Sequence, residues 1–238
     1  MKPMTTQNPN DLPEEFTRLL NVCETLVSGL KGSVIIGGIA VYLHTANHLV
    51  TQQLAGTTHD ADIYISLEDL SSLRTTEDVT PNQRLQKHQV IKKGFEFDVY
   101  TEFQSGLRLP YDEIVAHSVT YENQKVASLE HLLILKLDAF LDRQGSTKGE
   151  KDAHDILRIT ATMDALHQCN THLIAPYLGD EHLDLFMKAG THPLAMGLAK
   201  GDAKLAKKLR DSFKQVTSKI IDAYQVIHGP LQKSFKPK

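Results

Sequence analysis

Three carboxylates stand where strand alternation would set them on an open face. Asp60 and Asp62 lie in Thr58-His59-Asp60-Ala61-Asp62-Ile63-Tyr64-Ile65, and Asp98 lies in Phe95-Glu96-Phe97-Asp98-Val99-Tyr100. In an extended strand Ile63 and Ile65 point one way, and Asp60, Asp62 and Tyr64 the other, with the two acids roughly 7 Å apart along the backbone. Phe95, Phe97 and Val99 turn inward by the same alternation, which leaves Glu96, Asp98 and Tyr100 outward. Anions this close repel unless solvent or a divalent cation lies between them. A triad of Asp60, Asp62 and Asp98 on adjacent strands would suit two divalent ions about 4 Å apart, the arrangement that activates an attacking hydroxyl and stabilises leaving oxygens in phosphoryl transfer. Alone, a D-x-D is more often a solvated strand face.

A second feature precedes the acids. The apolar run Val34-Ile35-Ile36 stops at Gly37-Gly38 and becomes a helical pattern with Ile39, Tyr42, Leu43 and Ala46 on one face, which reads as strand, glycine turn, helix. Glycines at a helix N-terminus let backbone N–H groups approach phosphate oxygens, and the helix dipole favours the anion by about 0.3–1 kcal/mol.

The elements around these residues follow from pattern. From Pro13, residues Phe16, Leu19, Leu20, Cys23, Leu26 and Val27 recur at helical spacing. Thr51 to Thr57 reads as a linker, and Ser71 to Arg84 mostly as a loop. Gln89 to Ile91 and the Phe95 strand form a hairpin around Lys92-Lys93-Gly94; Ser118 to Tyr121 and Lys125 to Ala127 form another around Glu122-Asn123. After Ser128 helical periods persist almost to the end, so the expected domains are residues 1–127, α/β, and 128–238, helical, with the active cleft between them. The first of the later helices runs from about Ser128 to Arg143 and carries Lys136 inside its apolar stripe, where a lysine must snorkel or meet an anion. A second begins near Glu150 with Asp152 and Asp155 near its start, and a long lysine-rich segment runs from Pro193 to about His228.

Composition bounds the partners. The 238 residues carry 26 Lys and Arg against 29 Asp and Glu, a net charge of −3, which does not mark a general nucleic-acid binder. Cys23 and Cys169 lie outside any ligand-like spacing and fit a reducing compartment. With no signal-peptide core and no apolar run of membrane length, the sequence predicts a cytoplasmic protein that does not engage the membrane.

Together, Gly37-Gly38, Thr58-x-Asp60-x-Asp62-Ile63 and Asp98 resemble the signature of the DNA polymerase β-type nucleotidyltransferase superfamily. The helical half is similar to that of AbiEii-like nucleotidyltransferases known from toxin-antitoxin systems, whose later motifs are matched by Lys136 with Arg143 and by Lys151-Asp152-Ala153-His154-Asp155. The resemblance spans roughly Val34 to Ile159. It implies an α+β fold, a polymerase β-like domain with a mixed sheet followed by a helical bundle. It also implies transfer of an NMP from an NTP to an acceptor hydroxyl on an RNA end, a protein or a small molecule. Asp60, Asp62 and Asp98 would hold Mg2+ or Mn2+, with Asp98 as base toward the acceptor. Gly37, Gly38, Thr58, Lys136, Arg143, Lys151 and Asp155 would bind the nucleotide. A tRNA or other RNA acceptor and an antitoxin protein are the partners it suggests, and the basic run Lys200, Lys204, Lys207, Lys208, Arg210 and Lys214 could guide such an RNA. Two other readings stand beside it: a degenerate relative that binds nucleotide or partner without turnover, and an HD-type metal phosphohydrolase built on His131, His154 and Asp155. The second sits badly with strands at Asp60 and Asp98, because HD enzymes are helical throughout.

Overall fold

A computed structural model describes residues 12–229. The chain divides into two compact units, the division falling between Leu135 and Lys136.

The first unit is built on one mixed seven-stranded sheet. Its strands are β1 (Val34–Ile36), β2 (Asp60–Ile65), β3 (Val79–Asn82), β4 (Lys87–Lys92), β5 (Phe95–Thr101), β6 (Val119–Tyr121) and β7 (Gln124–Val126), in the spatial order β3-β4-β5-β2-β1-β7-β6. The two acid-bearing strands, β2 and β5, are neighbours and run parallel, while β1 pairs antiparallel with β2. Helices α1 (Glu14–Val27), α2 (Gly37–Ala46), α3 (Leu67–Thr76) and α4 (Tyr111–Ala116) belong to this unit, as does the first half of α5 (Leu129–Asp142). The core takes the same face of the two acid-bearing strands: Ile63 and Ile65 of β2 and Phe97 and Val99 of β5 are fully buried, each contributing about 1.5–3 kcal/mol. Lys93 and Gly94 both adopt positive φ (52° and 86°), the backbone that a two-residue hairpin turn between β4 and β5 requires.

Several sequence expectations need correction. The stretch read as loop from Ser71 instead completes α3 and supplies β3. Ser66 caps α3 by accepting from the Asp69 N–H at 3.0 Å, and Leu70 and Leu73 bury its inner side. Thr80, Pro81 and Asn82 in β3 are tolerated because only β4 pairs with this edge strand. Of the face expected for α2, Ile39 is buried but Tyr42, Leu43 and Ala46 are only half-buried, and Ala40, Val41, His44 and Thr45 complete the inner side instead. Tyr64, expected on the open face of β2, is 2% exposed, its hydroxyl accepting from Ser105 Oγ at 3.0 Å.

The second unit is helical, with α6 (Thr147–Ala165), α7 (Asp180–Ala189), α8 (His192–Leu198) and α9 (Ala203–His228) following the remainder of α5. Ser146 caps α6, so that helix starts one turn before Glu150. The segment from Pro193 is two helices, because Lys200 and Gly201 turn the chain at positive φ (50° and 84°) and Asp202 caps α9. Ala206, Leu209, Phe213, Val216 and Ile220 form the buried stripe of α9, and Lys204, Lys207, Lys208 and Lys214 lie exposed beside it. Among the described residues, no helix is long and apolar enough to cross a membrane.

Candidate active site

Register sets the three acids. Asp62 on β2 pairs directly with Asp98 on β5, Asp60 pairs with Glu96, and Gln89 on β4 pairs with Asp98. Residues in register share a sheet face, so four carboxylates and Gln89 occupy one polar patch, with paired Cα atoms about 4.8 Å apart. Two carboxylates about 5 Å apart repel by about 3 kcal/mol at an effective dielectric near 20, so the patch needs cations or donors.

The protein supplies some of these itself. Lys87 of β4 forms an ion pair with the Asp98 carboxylate through Oδ2, and both side chains are largely buried. Gln89 donates to Glu96 Oε1 at 2.5 Å and lies 3.4 Å from Asp98 Oδ1. Thr58 Oγ1 donates to Asp60 Oδ1 at 2.5 Å. Neither Lys87 nor Gln89 was singled out by motif. The β4–β5 hairpin could have found them, since extending its register past Gln89 puts Lys87 on the face of Asp98.

The glycine turn is shaped by the same group. β1 ends at Ile36, which pairs with Asp62, so Gly37 follows beside the Asp62 side chain. Gly37 has φ +68°, and a Cβ there would lie 2.0 Å from Asp62 Oδ2. At Gly38 a Cβ would lie 3.0 Å from Thr58 Cβ and Oγ1. Each glycine therefore makes room for a particular side chain of the acid-bearing segment. No side chain caps the N-terminus of α2, whose first residues are these glycines. Gly37, Gly38, Thr58, Asp60, Asp62 and Asp98 are thus one assembly.

The nucleotide-binding residues expected in the helical half form a second assembly. Lys136 Nζ lies 2.8 Å from Asp155 Oδ2 and 3.3 Å from Asp152 Oδ1, Arg143 Nη2 lies 2.9 Å from Asp152 Oδ2, and Arg158 Nη1 donates to Asp155 Oδ1 at 2.8 Å. Of the two outcomes open to a lysine in an apolar stripe, Lys136 meets anions, and this pair of aspartates supplies them in part. Burial would raise the Asp155 carboxyl, but Lys136 and Arg158 outweigh it and hold the group below its ordinary value. At Asp152 burial outweighs Lys136 and Arg143, and the carboxyl is raised. Lys151 stands on the exposed side of α6. His154 Nε2 donates to Leu194 O at 3.1 Å, and with Asp155 in the ion network, the pair read for an HD site is engaged structurally.

The ligand atoms that Asp60, Asp62 and Asp98 themselves offer are hard carboxylate oxygens, the set that suits magnesium or manganese rather than a soft ion. No protein-family model matches the sequence, and no curated protein matches it either. Solved structures do. One described as a "putative nucleotidyltransferase from H. pylori" is 14% identical, the match covering 89% of this chain and 98% of that one with a TM-score of 0.50. JHP933 from Helicobacter pylori is 15% identical over 91% of this chain and 98% of its own, with a TM-score of 0.52. At such identities the likeness speaks for architecture: the chain has the α+β nucleotidyltransferase fold.

Proposed function

We propose that this protein is a metal-dependent nucleotidyltransferase that moves an NMP from an NTP to an acceptor hydroxyl and releases pyrophosphate. The observation that carries the reading is the Asp62–Asp98 register on parallel strands, with Gly37 packed against Asp62. Asp60, Asp62 and Asp98 would hold divalent magnesium or manganese, which would lower the pKa of the acceptor hydroxyl and neutralise the leaving oxygens. The chain's own part is positioning. Gly37 and Gly38 present the first N–H groups of α2 to phosphate oxygens, and Thr58 orients Asp60. Asp98 takes the proton of the acceptor hydroxyl as its oxygen bonds the α-phosphorus. The bond from that phosphorus to the bridging oxygen breaks, and pyrophosphate departs. Lys136 and Arg143 serve triphosphate from within their ion network, and Lys151 and Asp155 support them. Similarity of the motifs to AbiEii-like enzymes favours a toxin of a toxin-antitoxin pair, with an antitoxin protein as partner. The exposed lysines of α9 favour an RNA acceptor such as a tRNA end.

One observation favours a second reading. Lys87 already neutralises Asp98, as it would in a relative that binds nucleotide without turnover. Incubation with each α-labelled NTP, magnesium and cell extract separates the two. Transfer of label that is lost in Asp62→Asn supports the enzyme; nucleotide binding without transfer or pyrophosphate release supports the second.

A further inference from the structure

Away from the acid-bearing strands, the first unit gathers Glu113 of α4, His117 at the end of α4 and His131 of α5. One ligand atom from each lies within 4.8 Å of the others. Glu113 Oε1 is 3.5 Å from His117 Nδ1 and 3.7 Å from His131 Nε2, and the two imidazole rings meet edge to face with centroids 5.6 Å apart. Glu113 and His117 alone are an ordinary pair four residues apart on a helix.

His131 makes the cluster more than that. Its side chain is 0% exposed, and neither ring nitrogen has a hydrogen-bond partner among the described residues. Leaving a buried polar group unmatched costs about 1–3 kcal/mol, and an imidazole always has at least one N–H to place. Its Nε2 is directed at Glu113, whose side chain is 28% exposed, beside His117 at 39%. A buried imidazole, a half-buried carboxylate and an exposed imidazole thus converge on one point with an opening to solvent.

We propose that Glu113, His117 and His131 bind a borderline divalent metal of the zinc class. Zinc bonds to imidazole nitrogen and carboxylate oxygen are about 2.0–2.2 Å, so neighbouring ligand atoms of a tetrahedral site stand about 3.3–3.5 Å apart. The two measured separations are near that edge length, and binding the ion would replace the 3.1 Å hydrogen bond that His117 Nδ1 donates to the Glu113 backbone O. Two imidazoles with one carboxylate select zinc over magnesium, whereas the all-oxygen patch of Asp60, Asp62 and Asp98 selects the reverse. The ion gives His131 the partner it lacks and ties α4 to the start of α5, across the β6–β7 hairpin in sequence. Three protein ligands leave the fourth position to water on the solvent side.

The test is zinc titration of the full chain, stripped with a chelator, against a chromophoric competitor and in excess magnesium to occupy the carboxylate patch. His117→Ala and Glu113→Gln are the variants, because both side chains reach solvent and neither empties the core. We expect one zinc per chain in wild type and in Asp62→Asn, with affinity weakened by roughly a hundredfold or more in each variant, at least the scale on which outer-shell partners already act. Cobalt in place of zinc should give the intense visible absorption of a tetrahedral site, lost in the same variants. Absence of stoichiometric zinc in wild type, or zinc that survives both substitutions, overturns the proposal. So does zinc that leaves with Asp62→Asn.

Discussion

A side chain on Gly37 would place its Cβ 2.0 Å from the Oδ2 of Asp62, so a side chain on the glycine that follows β1 and the second acid of β2 would claim the same space. Gly37→Ala must therefore move Asp62 while also holding alanine at a φ of +68°. The left-handed backbone alone costs about 1–2 kcal/mol. We expect Gly37→Ala to fold with reduced stability and to lose at least tenfold in nucleotide affinity. Urea unfolding read beside nucleotide titration checks this, and unchanged affinity would separate Gly37 from the site.

Lys87 and Asp98 set a competition between the protein's own cation and a metal. Lys87→Met should cost about 1–3 kcal/mol in chelator, because Asp98 is then left beside Asp62 and Glu96 without a cation. Magnesium should bind the variant more tightly than wild type and restore most of the loss. Melting temperature in chelator and across a magnesium series measures both effects, and a variant equally stable in each would deny the competition.

The ion network of the second unit predicts non-additive behaviour. Asp155→Asn leaves Lys136 and Arg158 without their shared carboxylate in a buried setting, a change expected to cost about 3–5 kcal/mol. Lys136→Met should cost a similar amount, and the double variant clearly less than the sum of the two. Because the folded Asp155 carboxyl lies below its ordinary value, its contribution is complete above about pH 4 and is lost as pH falls through the folded pKa. Denaturant midpoints for the four proteins of this cycle at pH 7 provide the check.

His44 predicts a milder pH dependence. Its Nε2 donates to Ala127 O at 2.8 Å, and its Nδ1 accepts from the Tyr121 hydroxyl at 3.0 Å, so the neutral ring is the one that fits. Burial lowers its pKa below the ordinary histidine value. Since the unfolded chain binds the proton first, stability from this group is present above about pH 6.5 and falls toward lower pH, by at most about 1.4 kcal/mol per pH unit. His44→Gln should flatten the dependence between pH 7 and 5.5, measured by urea unfolding.

The acid-bearing strands were legible because alternation is local: the residues that bury Phe97 also set Asp98 outward, whatever lies beyond the sheet. Lys87 was not, since its meeting with Asp98 depends on hairpin register continuing past Gln89. Composition misled at α3 and β3, where a serine cap and two buried leucines outweigh a run of polar residues. Lys136 showed in sequence as a cation that had either to snorkel or to meet an anion. Asp152 and Asp155 were visible too, but three-dimensional packing alone brings them to it. The Glu113, His117 and His131 cluster joins two helices across a hairpin, a juxtaposition that no spacing rule encodes.

The most direct test of the nucleotide site is thermal unfolding of wild type and Asp62→Asn with each NTP, with and without magnesium. Ligand at a hundred times its dissociation constant adds about 2.7 kcal/mol. An upward shift of several degrees that needs both nucleotide and magnesium, and vanishes in Asp62→Asn, is the predicted result. A shift of the same size in the variant, or none in wild type with any nucleotide, would contradict it.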